Sequence, residues 1–151
     1  MKKLCYLLFT ATLLIFVATS CSKEKGCTDL NANNYNQDAE KDDGSCTYPV
    51  INAAAGNRAG DISGAGGSAS KSITFNQTST TLGWDMSQNA TSGSFNLTVR
   101  DANGSVVINN TLTAGSGPQD ASGTSSTGTA GTWRATITLT NFTGSGDYSF
   151  Q

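Results

Sequence analysis

The chain has 151 residues, 36% apolar, 13% charged and 8% aromatic, which allows one small domain with accessory segments. It contains no histidine, which excludes His-dependent triads, His-ligated zinc or haem and histidine proton relays. Nine basic residues against eleven acidic ones give a net charge of −2, so no nucleic acid is expected as a partner.

Met1-Lys2-Lys3 is a basic start, Leu4 to Val17 is an uncharged apolar run, and Ala18-Thr19-Ser20 are small residues leading to Cys21. That order is a secretory signal peptide over residues 1–20. With Ser20 directly before Cys21 it resembles the signal of bacterial lipoproteins, although Ala18 stands where such signals usually carry leucine. The resemblance implies cleavage before Cys21 and acylation of that cysteine with palmitate-type chains. Two readings compete: an uncleaved membrane helix over the charge-free window Leu4–Ser22, and a soluble secreted protein cut near Ala18. The hydrophilic stretch Ser22-Lys23-Glu24-Lys25-Gly26 favours the lipid anchor. Each buried methylene contributes about 0.8 kcal/mol, so two or three chains hold a protein on a bilayer. Loss of Lys2 and Lys3 leaves seven basic against eleven acidic residues, so the membrane is a partner through lipid and not through a basic patch. The expected location is the bacterial cell envelope, at the outer membrane, with the periplasmic and surface faces both open.

Residues 21–50 form a second segment. Cys5 leaves with the signal and Cys21 carries lipid, so Cys27 and Cys46 remain, and an even remainder in an exported chain points to a disulfide. Closing a loop of about twenty residues is worth roughly 3 kcal/mol, and between Cys27 and Cys46 the only large apolar or aromatic residues are Leu30 and Tyr35. Gly26-Cys27-Thr28-Asp29, Asn34-Tyr35-Asn36 and Asp42-Asp43-Gly44-Ser45-Cys46 together resemble a short Cys-bracketed repeat of exported proteins of Gram-negative bacteria, with Leu30 and Gln37 where that repeat commonly has proline. Asp29, Asp38, Asp42 and Asp43, among neighbouring asparagines, are hard oxygen donors of the kind Ca²⁺ takes. Their spacing is not that of an EF-hand, and turn-forming Asx residues are the simpler reading.

Residues 51–70, rich in Gly, Ala and Ser, read as a flexible linker or a loosely ordered loop. Gly64-Ala65-Gly66-Gly67 lacks the spacing of a dinucleotide-binding turn.

From residue 71 to 151 the apolar period is two. Ile73 and Phe75 alternate with polar residues, as do Leu82, Trp84 and Met86, then Phe95, Leu97 and Val99. Asp101-Ala102-Asn103-Gly104 is a turn, and Val106 to Leu112 is a further strand. Ala114–Gly131 reads as a long mobile connection, in which Asp120 is a candidate for sugar hydroxyls or calcium. Trp133, Ala135, Ile137 and Leu139 form the clearest alternation, and Tyr148 and Phe150 a last short strand after Thr143-Gly144-Ser145-Gly146. Six or seven short strands without a helical period predict an all-β fold, a small antiparallel β-sandwich behind the signal peptide and the disulfide-stapled segment. Its expected core is Ile73, Phe75, Leu82, Trp84, Phe95, Leu97, Val99, Trp133, Ile137, Leu139, Tyr148 and Phe150. Phe95–Val107, Gly131-Thr132-Trp133 and Gly146-Asp147-Tyr148 are similar to accessory sandwiches of secreted bacterial proteins, such as pre-peptidase C-terminal and proprotein-convertase P-type domains.

No G-x-S-x-G motif occurs and no histidine exists to activate a serine. Asp85, Asp101 and Asp147 are the carboxylates that a small hydrolase would use. The six N-x-[ST] sequons, at Asn76, Asn89, Asn96, Asn103, Asn109 and Asn141, are by-products of Asn/Thr-rich strands in a bacterial lipoprotein. Trp84 and Trp133 could stack on sugars, but their place on the alternating face favours the core; Tyr35, Tyr48 and Tyr148 are weaker platforms. The expected protein is a lipid-anchored envelope component, not an enzyme, whose sandwich binds a partner or supports an assembly. No cofactor is expected apart from the candidate Ca²⁺. A carbohydrate-binding or adhesive module is the alternative, with a glycan or an envelope protein as partner, and a carboxylate hydrolase is a further one.

Overall fold

The computed structural model describes residues 23–151. The signal segment and Cys21 lie outside the described residues. Nine strands follow in order: β1 Lys25–Gly26, β2 Lys41–Asp42, β3 Val50–Asn52, β4 Ala59–Ala65, β5 Ala69–Gln77, β6 Gly83–Arg100, β7 Val106–Thr113, β8 Gln119–Thr124 and β9 Gly131–Phe150. The fold is an antiparallel β-sandwich, as the two-residue period predicts, but it is built differently from a set of short strands.

Two strands run through both layers. β6 spans 18 residues and β9 spans 20, and they pair antiparallel from Trp84–Phe150 at one end to Arg100–Arg134 at the other. In the first layer the order is β3, β4, the second half of β9, the first half of β6, then β8. In the second layer it is β5, the first half of β9, the second half of β6, then β7.

The corner lies where the β6–β9 register shifts, between Ala90 and Ser94. Gly93 sits there at φ 82° and Asn141 at φ 47°. A shift of one residue reverses which side chains face inward. Trp133, Ala135, Ile137 and Leu139 point into the core before the corner, and Phe142, Tyr148 and Phe150 after it. Along β6 the same reversal separates Met86 and Ala90 from Phe95, Leu97 and Val99. The Thr143-Gly144-Ser145-Gly146 stretch, expected to precede a separate last short strand, is therefore continuous strand inside β9. Its glycines serve close approach, since a Cβ on Gly146 would fall 2.3 Å from the Ser87 carbonyl oxygen.

One core cluster fills the space between the layers. Of the twelve expected core residues all are buried except Trp84, which is partly buried and packs against the cluster with its indole over Gly123. Trp133 is fully enclosed and its indole Nε1–H donates to the Thr129 carbonyl at 2.7 Å.

Residues 51–70 are not a linker. β4 lies within them and β3 overlaps their start, and both extend the first layer, with Ile51 and Ile62 in the core. The small residues of β4 match a close approach: a Cβ on Gly60 would meet the Asn52 carbonyl at 2.3 Å and the Tyr148 hydroxyl at 2.6 Å. The 114–131 connection likewise contains a strand, β8, on the free edge of β6.

Cys27 and Cys46 are joined as expected, with Cα atoms 4.8 Å apart. The segment they close is held by polar bonds: β1 pairs with β2 in parallel, and Asn33 N–H donates to the Thr47 carbonyl. Leu30 is 75% exposed and Tyr35 39% exposed, so this segment has almost no core and depends on its staple. It docks on the sandwich at the β4–β5 turn, where Ser68 N–H donates to the Asn31 carbonyl at 2.7 Å.

Candidate functional site

The two outer faces of the sandwich carry opposite charge. On the first layer, register places Asp61 of β4, Asp147 of β9, Ser87 of β6 and Asp120 of β8 in one row, and Asp85 lies one pair along β6. Ser87 Oγ–H donates to Asp147 at 2.9 Å and the Asn52 amide donates to Asp61 at 2.7 Å. A shallow cavity of about 390 Å³ lies over this row. Asp85 and Asp147, two of the three hydrolase candidates, thus share an open sheet surface, while Asp101 stands on the other layer and cannot act with them.

The second layer presents hydroxyls and two arginines. Thr74 of β5, Arg134 of β9 and Arg100 of β6 form one row, followed by Ser72, Thr136 and Thr98, then Ser70, Thr138, Asn96 and Thr111. The hydroxyl pairs are within bonding distance, Ser72 with Thr136 at 2.9 Å and Ser70 with Thr138 at 3.2 Å. The Asn96 amide donates to Thr111 Oγ1 at 2.8 Å and to Asn109 Oδ1 at 3.0 Å. Two cavities lie along this face. One, of about 520 Å³, is lined by Ser72, Thr74, Arg100, Thr132, Arg134 and Thr136. The other, of about 460 Å³, continues past Ser70, Thr138 and Thr140 to Asn31 of the disulfide segment. From Thr132 to Thr140 the strand rises about 27 Å, a span that takes several linked sugar rings.

Asp101 closes one end of this groove and is spent on the backbone. Its Oδ1 accepts from the N–H groups of Asn103 at 3.0 Å and Ser105 at 2.8 Å, and its Oδ2 accepts from Thr129 N–H at 2.8 Å. These bonds, that from Thr129 first, hold its pKa below the ordinary carboxylate value.

The four aspartates considered for Ca²⁺ do not converge, and among the described residues no three His, Cys, Asp or Glu side chains group to hold a metal. Asp29 accepts from Asn31 N–H and from the Tyr48 hydroxyl at 2.7 Å; both lower its pKa, and the same bond raises that of Tyr48. Asp42 accepts from Gly44 N–H and Asp43 from Ser45 N–H. At Asp38 the roles are reversed: its backbone N–H donates to Asn36 Oδ1, and Asn36 supplies the turn-forming side chain. All four aspartates sit at Asx-type turns. Trp84, Trp133 and Tyr148 face inward, so no aromatic platform stands on either outer face of the strands.

Arg100, Arg134 and the Ser/Thr ladder were visible in the sequence only as the polar half of the alternation. Which strands lie side by side, and hence which polar residues meet, is set by the β5–β9–β6 pairing that periodicity does not encode.

No family model and no curated protein sequence matches this chain. Among solved structures it is similar to a module titled "CBM4 structure and function", at 12% identity and TM-score 0.42, covering 62% of this chain and 71% of that one. It is also similar to TmCBM61 solved in complex with β-1,4-galactotriose, at 8% identity and TM-score 0.42, covering 68% of each chain. A weaker likeness, TM-score 0.28 at 16% identity over 68% of this chain and 30% of the other, is to a structure of infectious bursal disease virus, Gx strain. At these identities the likeness is one of sandwich architecture alone.

Proposed function

We propose that the chain is a non-catalytic glycan-binding module of the bacterial cell envelope, anchored through acyl chains on Cys21. The observation that carries the binding reading is the groove across the outer face of the second layer. It is open and elongated, and its lining of Ser70, Ser72, Thr74, Thr136 and Thr138 offers donors and acceptors in rows at the strand spacing. Such a surface exchanges water for sugar hydroxyls along a chain and has no cleft deep enough to bury a small substrate. The anchor rests on the Met1–Cys21 sequence.

The test is a glycan array, neutral and acidic, probed with the protein from Ser22 onward, followed by titration calorimetry on the sugars that bind. Thr136→Tyr, which puts a ring in the middle of the groove on a strand that tolerates aromatics, is expected to abolish binding with the fold intact. Ser87→Tyr on the opposite face is expected to leave it unchanged. Binding lost with Ser87→Tyr and kept with Thr136→Tyr, or no glycan bound at all, overturns the reading.

A further inference from the structure

We propose that the groove selects an acidic sugar, with a ligand carboxylate held between Arg100 and Arg134; this rests on the glycan-binding reading and names the class of glycan. The two arginines are direct register partners on β6 and β9. Like charges facing each other across a strand pair destabilise a sheet, so an unneutralised pair needs a reason. Among the described residues neither arginine is in an ion pair. Among the described residues the one ion pair is Lys23–Glu40, far along the chain in the disulfide segment. The one carboxylate lining the same cavity, Asp101, has its oxygens occupied by three backbone N–H groups.

The geometry of the pair suits an anion. Arg100 Nη1–H donates to the Gly104 carbonyl at 2.9 Å, which fixes that guanidinium at the rim of the cavity, and its other N–H groups make no further bond among the described residues. Arg134 stands at the centre of the row between Thr74 and Arg100. A planar carboxylate takes two parallel bonds from a guanidinium fork, and Thr132 and Thr136 flank the position on the same strand to receive ring hydroxyls. The remaining charge of the molecule limits the ligand. Asp61, Asp85, Asp120 and Asp147 all lie on the opposite face, so a polyanion that wraps the domain is repelled, whereas a uronate chain lying along one face meets the two cations and, at one end of the groove, the backbone-bonded Asp101.

The experiment uses alginate, galacturonan and glucuronan oligosaccharides, each beside its carboxyl-reduced neutral form, and a sulfated galactan oligosaccharide to separate carboxylate from sulfate. Titration calorimetry is run at low and high sodium chloride with the wild type, Arg100→Gln, Arg134→Gln and the double variant. A uronate is expected to bind, to lose about tenfold or more in affinity per arginine removed, to weaken with salt, and to lose as much when its carboxyl is reduced. The double variant is expected to unfold at the same temperature as the wild type or higher, because an opposed like-charge pair has gone; this separates lost ligand contacts from lost fold. Equal binding of acidic and reduced forms overturns the acidic selection and leaves the glycan reading standing. Binding of the sulfated chain in preference to every uronate overturns the carboxylate assignment. No binding by any glycan overturns both.

Discussion

The rings of Phe75 and Phe150 stack with centroids 5.0 Å apart and planes 22° from parallel. Phe75 is the register partner of Trp133 near the start of β9, and Phe150 is the last residue of that strand. A straight strand over those seventeen steps would separate its ends by about 56 Å. The contact therefore exists because β9, with β6 beside it, turns a corner and lays one half of the sheet on the other.

That corner gives the first prediction. A Cβ on Gly93 would stand 2.3 Å from the carbonyl oxygens of both Thr140 and Asn141, at a positive φ. Gly93→Ala should lower stability by about 2–4 kcal/mol from left-handed backbone cost and overpacking together. Asn141→Gly, which relieves a left-handed residue without adding an atom, should change stability by less than about 1 kcal/mol. Chemical denaturation of the two variants checks the contrast.

Trp133→Ala removes a fully enclosed ring and should cost about 3–5 kcal/mol. Trp133→Phe keeps much of the packing but leaves the Thr129 carbonyl without its indole donor, and should cost less. A small shift of the alanine variant's unfolding midpoint would show that the ring is not a core residue.

Asp101 ties the β6–β7 turn to Thr129 through its ionised form. Its folded pKa lies below the unfolded one, so its contribution is complete above the unfolded value near 4 and is lost as pH falls through the folded value. Stability should therefore decline below about pH 4, and Asp101→Asn should lower the unfolding midpoint at pH 7 while flattening that acid decline. Thermal scans from pH 2 to pH 7 measure both. An unchanged acid slope in the variant assigns the decline to other carboxylates.

Replacing Cys27 and Cys46 with serine should act locally. The stapled segment gains about 3 kcal/mol from loop closure and buries little apolar surface, with Leu30 and Tyr35 exposed. Hydrogen exchange should show loss of protection at Asn36 and Glu40, whose amides bond to Cys27 and Glu24, while the Ile137 and Leu97 amides keep theirs. Equal loss at all four positions contradicts a local role.

Cys21→Ala in the full-length protein should move it from the membrane fraction to the soluble one. Mass spectrometry of the wild-type N-terminal peptide should find acyl chains on that thiol, and a bare thiol removes the anchor.

The inward residues of β5, β6 and β9 were legible in the sequence because burial on one face writes a two-residue period. Two things were not. β4 reads Ala-Gly-Asp-Ile-Ser-Gly-Ala, with one large apolar residue, because Tyr148 already fills the space over Gly60; a strand whose partner supplies the bulk looks like a linker. The runs ending at Met86 and Leu139 read as strands separate from those beginning at Phe95 and Tyr148, because a change of inward parity inside one long strand has the same signature as a new strand. The groove was hidden for a related reason. Arg100 and Arg134 are thirty-four residues apart, and only the β6–β9 register makes them neighbours.

Gly67 lies so close to the stapled segment that a Cβ there would fall 2.6 Å from the Asn31 carbonyl oxygen, and the same Asn31 lines the far end of the groove. Cys21 precedes Lys23 by two residues, a reach of about 7 Å at most. For a molecule held at Cys21 the stapled segment is thus a bracket and not a leash. Under the proposed anchoring its working height over the lipid is short, and a ligand of the groove would be met close to the surface of the bilayer.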